Sequence, residues 1–355
     1  MKRLTTAAYA VFSTILLGGG FVTAFAFAWS AGLTETLFCL LGLLTGLILS
    51  PVLHEIGHLF FAAVTDMEWI YAKFFCFKLY RSAGKKRFGL ASPFAADMTQ
   101  VTPRSGGDMQ KRASLYTLGG LIFGGVFLLV VVTAAILTTV FGETQYFLWG
   151  ILPYAAYLFF LNLAPLTYAS GKTDALVYAG IRKDEPTERV MLSAMEIQGR
   201  LFAGESFGQI EEKLYFDLPQ LCEDEPLFHV ILDLRYRYYL EKGETEKAFD
   251  CLDRLLQAQA YLSDEEREKL AAELVYLHAS FGNREGAESY GKGCRNYLAQ
   301  EGITQKRILA AYAAAFGSAE NARLLIAQAE QAEEKELFQG VVKFERILLS
   351  RISLE

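Results

Sequence analysis

The stretch SPVLHEIGHLFFAAV, residues 50–64, sets two histidines and a glutamate inside what otherwise reads as a hydrocarbon-soluble helix. An isolated charge at the centre of a bilayer costs roughly 2.5–3.5 kcal/mol on insertion scales, so ionisable groups at that depth need a partner and mark function. His54 and His58 are four positions apart. On a helix they stand one turn above each other on the same face and can bind one cation together. Glu55 lies about 100° round the helix from His54, close enough to reach a water on that cation without being a ligand. This is the HExxH pattern, and neutral imidazoles bound to Zn²⁺ are satisfied polar groups. Pro51, three residues before His54, is placed to kink or loosen the helix there. The chain has four histidines, and two of them are spent on this motif. The other two, His229 and His278, fall in the charged C-terminal half and read as ordinary packing or surface residues.

The surrounding composition fits a membrane. The chain has 355 residues, 52% of them hydrophobic. Residues 1–183 carry 14 Lys and Arg against 8 Asp and Glu, whereas the rest carry 20 against 32. The first part is therefore basic and the second acidic, as if made for different solvents. Four apolar segments, residues 5–28, 36–65, 114–141 and 145–168, each reach the roughly 20 residues that a hydrocarbon core requires. The first could also be a signal peptide, with Lys2 and Arg3 ahead of it and Ala26-Phe27-Ala28 as a cleavage site. Its apolar run exceeds the about 7–15 residues of such a segment, which favours a retained helix. Residues 66–113 hold nine Lys and Arg, whereas the connections at 29–35 and 142–145 hold none. The positive-inside rule then puts both termini on the cytoplasmic side. Five cysteines without a CxxC pair suit a reduced compartment better than a disulfide framework.

A catalytic zinc site takes three protein ligands and leaves a position for water. The third is expected in FLNLAPLTYASGKTDALVYAG, residues 160–180. There an apolar helix reaches Asn162, breaks at Pro165, passes Ser170, Gly171 and Lys172, and resumes near Asp174. Irregular backbone at membrane depth survives only inside protein or along a wet cavity, which suits a site loop. Asp174 is the predicted third ligand. A helix N-cap at Thr173 or Asp174 explains the same residues, and the two roles are compatible.

HExxH in a membrane helix, followed about a hundred residues later by an Asn-x-x-Pro loop and an aspartate, resembles the site-2 protease family of intramembrane zinc metalloproteases, peptidase family M50. The resemblance covers residues 33–180. It implies Zn²⁺ on His54, His58 and Asp174, with Glu55 as general base. It also implies that Asn162 positions substrate or supports an oxyanion. Three features depart from the family: Asp174-Ala175 replaces Asp-Gly, the Asn162-to-Asp174 spacing is twelve, and Gly119-Gly120 stands for a Gly-Pro.

The connection at 66–113 is too short for the PDZ domain of many relatives. Within it, WIYAKFFCFKLYRS, residues 69–82, alternates aromatic and basic residues at period 2, which predicts a strand at the membrane interface. The resemblance implies that such a strand presents substrate; an interfacial anchor of aromatics and lysines explains it equally well.

Beyond residue 184, helical periodicity runs among charges. Three G-x-x-E-x-A phrases, starting at Gly243, Gly282 and Gly317, are separated by 39 and 35 residues. That spacing resembles the 34-residue tetratricopeptide repeat, and an irregular helical bundle is the other reading. Stacked helix pairs form concave surfaces for a cytoplasmic protein or peptide. The acidic charge argues against nucleic acid.

The expected fold class is thus an all-α membrane protein: about four transmembrane helices (1–183) with a short interfacial β segment, then a soluble α-helical repeat (TPR-like) domain (184–355). The expected function is zinc endopeptidase in a bacterial plasma membrane, acting on membrane-spanning proteins or hydrophobic peptides. The alternative is a membrane scaffold with structural zinc that recruits a partner through its repeats.

Overall fold

The computed structural model describes residues 2–82, 85–92, 98–138, 142–168 and 171–354. The chain divides into two compact units. Met1–Tyr80, Lys86–Val101 and Gln110–Glu188 make the first, and Arg81–Lys85, Thr102–Met109 and Arg189–Glu355 the second.

In the first unit, α1 (Lys2–Ser13) runs through a π-helical stretch, Thr14–Gly19, into α2 (Gly20–Ala31). The link expected at 29–35 shrinks to a single residue, Gly32, before α3 (Leu33–Val64). Trp29, Ser30 and Ala31 contain no helix breaker, whereas Gly32 adopts φ 148°, a conformation open mainly to glycine. The helix α3 continues through Pro51 without interruption.

The strand expected over 69–82 is a hairpin, β1 (Met67–Phe74) and β2 (Phe77–Ser82), antiparallel with Tyr71 opposite Tyr80 and Phe74 opposite Phe77. Two further strands, β3 (Lys85–Leu90) and β4 (Met98–Pro103), complete a sheet of order β3-β2-β1-β4. Long helices α4 (Met109–Leu137) and α5 (Glu143–Leu163) follow. The predicted segment end at Phe141 lies outside the described residues. Pro165 disfavours helical geometry in the residue before it, and Ala164 is accordingly extended at φ −79°, ψ 131°. A short hairpin, β5 (Thr167–Tyr168) and β6 (Gly171–Lys172), leads to α6 (Asp174–Lys183). Ser170, expected in this loop, lies outside the described residues.

Among the described residues four helical stretches are long and apolar enough to cross a membrane: Tyr9–Ala31, Leu33–Val64, Met109–Leu137 and Glu143–Leu163. One face of α3 leaves Leu37, Leu41, Leu44 and Ile48 exposed, a row that water would not tolerate and lipid would. The opposite face meets α5 backbone to backbone. A Cβ on Gly42 would stand 1.9 Å from the Phe147 carbonyl oxygen, and one on Gly150 2.0 Å from that of Cys39. Small residues permit this approach where apolar lipid supplies no force to drive helices together.

The second unit is helical: most of α7 (Pro186–Ala203), then α8 (Lys213–Phe216), α9 (Pro226–Lys242), α10 (Thr245–Gln257), α11 (Asp264–Ser280), α12 (Arg284–Gly291), α13 (Arg295–Leu298), α14 (Ile303–Phe316), α15 (Ala319–Ala332) and α16 (Gln339–Ser350). The three G-x-x-E-x-A phrases join α9 to α10, α11 to α12 and α14 to α15. Gly243 at φ 79° and Gly282 at φ 68° close their helices in the left-handed region, as helix-ending glycines do. Gly317 ends α14 with negative φ instead. The phrase alanines Ala248, Ala287 and Ala322 are each 0% exposed, which explains the small residue at that position. His229 is buried and stacked on Tyr261, and His278 stacks on Tyr290, so both act in packing.

Candidate metal centre

The inward face of α3 carries Gly42, Gly46, Ser50, His54 and His58, one residue every four, all buried. Such spacing makes a single stripe. Its first half brings α5 close, and its second half offers imidazoles. The glycine at Gly57 does the same for α4: a Cβ there would lie 2.2 Å from the Gly119 carbonyl oxygen, and one on Gly119 2.4 Å from that of Gly57. The α3–α4 crossing therefore sits beside the histidine pair.

Asp174 reaches the pair from the broken segment after α5. The hydroxyl of Thr173, which is 0% exposed, donates to the Ala164 carbonyl at 2.7 Å and accepts from the Leu166 N–H at 3.1 Å. The Thr173 N–H also donates to the Leu166 carbonyl at 3.0 Å. These bonds close the loop around Pro165 and deliver Asp174 as the first residue of α6. Thr173 holds the N-cap position, yet its side chain makes no capping bond because the loop uses it. One residue earlier, Lys172 pairs with the buried Glu188 at 2.6 Å and ties β6 down.

Three donor atoms converge. His54 Nε2 and His58 Nε2 are 3.2 Å apart, and Asp174 Oδ2 lies 3.2 Å from the first and 3.5 Å from the second. For Zn–N and Zn–O bonds of about 2.0–2.1 Å, the edges of a tetrahedron are about 3.3 Å, so the three distances match one face of a zinc coordination shell. His58 Nδ1 stands 2.8 Å from the Tyr116 carbonyl, which can only accept; Nδ1 therefore carries the proton and Nε2 presents its lone pair inward. A backbone partner on the far nitrogen is the usual way to orient a metal-binding imidazole. Asp174 Oδ2 is buried without a well-formed hydrogen bond despite its two close nitrogens, an acceptor that a cation would satisfy. The cradle also needs Gly120. A Cβ there would come within 2.5–2.6 Å of His54 Cε1, His54 Nε2 and His58 Nε2. The residues present fit a divalent metal ion, and two imidazole nitrogens with one carboxylate oxygen form a donor set that accepts zinc or iron(II).

Glu55 is 8% exposed and does not join the ligand group. Its Oε2 accepts from the Thr99 hydroxyl of β4 at 2.6 Å. Asn162, in the last turn of α5, donates its amide to the Leu158 carbonyl at 3.1 Å, and among the described residues no hydrogen bond links it to the triad. Sequence reasoning missed Thr99 and Tyr116, and it named Thr173 only as a helix cap, the position it holds, not for the loop bonds its hydroxyl makes. Nothing short-range distinguishes these hydroxyl residues, and their roles arise from contacts across the fold. Gly120 was visible only as half of an unusual Gly-Gly pair.

No family model, curated protein or solved structure matches the chain.

Proposed function

We propose that this protein is an intramembrane metalloprotease. It is of the site-2 protease type: a zinc endopeptidase that cuts membrane-spanning proteins or hydrophobic peptides near the cytoplasmic face. One observation carries this reading: the His54, His58 and Asp174 donors meet at zinc-like spacing beside the non-ligand carboxylate of Glu55, on helices apolar enough to cross a membrane. Zinc, when bound, would supply Lewis acidity that polarises a carbonyl and makes a water acidic near pH of about 7. Glu55 takes a proton from the attacking water and returns it to the leaving amine. Asn162 exchanges its bond to the Leu158 carbonyl for one to the peptide or its oxyanion.

A substrate helix must surrender its internal hydrogen bonds before cleavage, so helix-breaking residues near the cut are expected. The unwound segment adds to the edge of the sheet as an extra strand. β4 is the end strand that carries the contact to Glu55, which makes its edge the one used. The nine basic residues of segment 66–113 support an orientation with that segment and both termini on the cytoplasmic side, in a membrane that this reading takes to be a bacterial plasma membrane. The helix pairs of the second unit form tetratricopeptide-like repeats that bind a cytoplasmic protein or peptide.

The test is a mass-spectrometric inventory of membrane proteins and small peptides in host cells carrying wild type or Glu55→Gln. A species shortened only by wild type, and intact with the variant, establishes proteolysis and names the substrate. Identical inventories, with zinc bound to both proteins, transfer the assignment to the scaffold reading.

A further inference from the structure

We infer that Thr99 of β4 is the positioning residue for Glu55. This deepens the proposed function and rests on its role for Glu55 as the proton carrier. Glu55 sits on α3, and its partner lies 44 residues away on a strand at the end of the sheet. The bond is a hydroxyl donating to a carboxylate at 2.6 Å, the short, charge-assisted kind that fixes geometry most firmly.

Thr99 is itself held. Its backbone carbonyl accepts from the Tyr116 hydroxyl at 2.8 Å, and the Tyr116 carbonyl in turn faces His58 Nδ1 at 2.8 Å. The contacts close a ring: Glu55, Thr99, Tyr116, His58 and back along one turn of α3. One side of the ring is the proton carrier, and the other is a metal ligand. Along β4 the side chains alternate, with Met98 and Gln100 exposed and Thr99 and Val101 turned further in. Thr99 thus faces the site from what is, among the described residues, an end strand of the sheet. An unanchored carboxylate has three side-chain torsions to settle, and the Thr99 hydroxyl removes that freedom. The orientation of Glu55 therefore follows the position of β4.

The test uses the full chain in lipid nanodiscs, with isotope-labelled glutamate carboxylates, zinc-loaded and zinc-free. The infrared band of Glu55 is the one lost in Glu55→Gln. Thr99→Val keeps the shape and removes the donor; it should move that band in both states. Thr99→Ser keeps the donor and should restore it. Zinc content should match wild type in both, because Thr99 touches no ligand atom. In host cells the cleavage rate of the species that wild type shortens should fall on the order of 10–100-fold in Thr99→Val and recover in Thr99→Ser. A band unmoved by Thr99→Val, or moved equally by both substitutions, overturns the inference. Cleavage that persists in Glu55→Gln removes the protease reading instead, while the band still reports the Thr99 bond.

Discussion

Gly120 decides how much space the histidines enclose. A methyl group there would stand 2.5–2.6 Å from imidazole atoms of both His54 and His58, well inside van der Waals contact, so Gly120→Ala has to push the rings out of line. Zinc affinity, read by chelator competition, should fall by at least the roughly 10–100-fold typical of lost supporting contacts. Gly124→Ala is the control, because its Cβ meets only Phe159 at 3.9 Å and His54 Nδ1 at 4.0 Å, ordinary contact distances. Equal affinities for the two variants would remove Gly120 from the site. The histidine pair was legible in the sequence because four-residue spacing is itself the geometry of one helical face. The need for Gly120 was not, because its reason is a helix crossing between residues more than sixty positions apart.

The broken segment after α5 makes a prediction of its own. Thr173, itself 0% exposed, stitches Leu166 and Ala164 across the Pro165 loop with two part-buried side-chain bonds. Thr173→Val removes both bonds, at a cost of about 0.5–1.5 kcal/mol each, and leaves the Leu166 N–H only its bond to the Ala164 carbonyl at 2.8 Å. The cost appears where Asp174 is delivered, so zinc should bind more weakly and Thr173→Ser should recover it. Unchanged affinity in Thr173→Val would show that Asp174 is placed by other contacts. Pro165 announced this break because a proline restricts the residue before it. The sheet was harder to read. β1 and β2 alternate visibly, yet their turn at Phe75 adopts φ 49° without the Gly, Asn or Asp that usually marks such a hairpin. β3 begins Lys-Lys-Arg, and a charged run looks like loop unless its pairing partner is known.

On the scale of the molecule, the two units solve the problem of buried charge differently. The first gathers three donors that could hold a cation, whereas the second supplies a cation of its own. Arg307 is 0% exposed, donates to Glu273 at 2.8 Å, reaches Glu345 at 2.5 Å, and lies over the Tyr276 ring at 4.1 Å. None of this shows in a helical periodicity, where Arg307 reads as one more charge on a solvated face. Burial pushes the Glu273 carboxyl up, but Arg307 and Arg237 beside it outweigh burial and hold it below the usual carboxylate range. A group depressed in the folded state adds stability at pH above its unfolded value of about 4.3, and that stability is lost as pH falls through the folded value. Arg307→Met reverses the sign at this site. Two buried carboxylates lose their main cation, with Arg237 at 4.0 Å from Glu273 compensating only in part, and about 3 kcal/mol of stability should disappear near neutral pH. Acidification from neutral pH then relieves the variant, whereas it weakens the wild type only below the unfolded value of about 4.3, so the two unfolding curves should converge as the pH falls from neutral through that value. Thermal unfolding of the full chain, followed by limited proteolysis of the helical unit across that range, reads the difference directly. Parallel curves would mean that Arg307 contributes packing rather than charge, and the second unit would then owe its register to its apolar core alone.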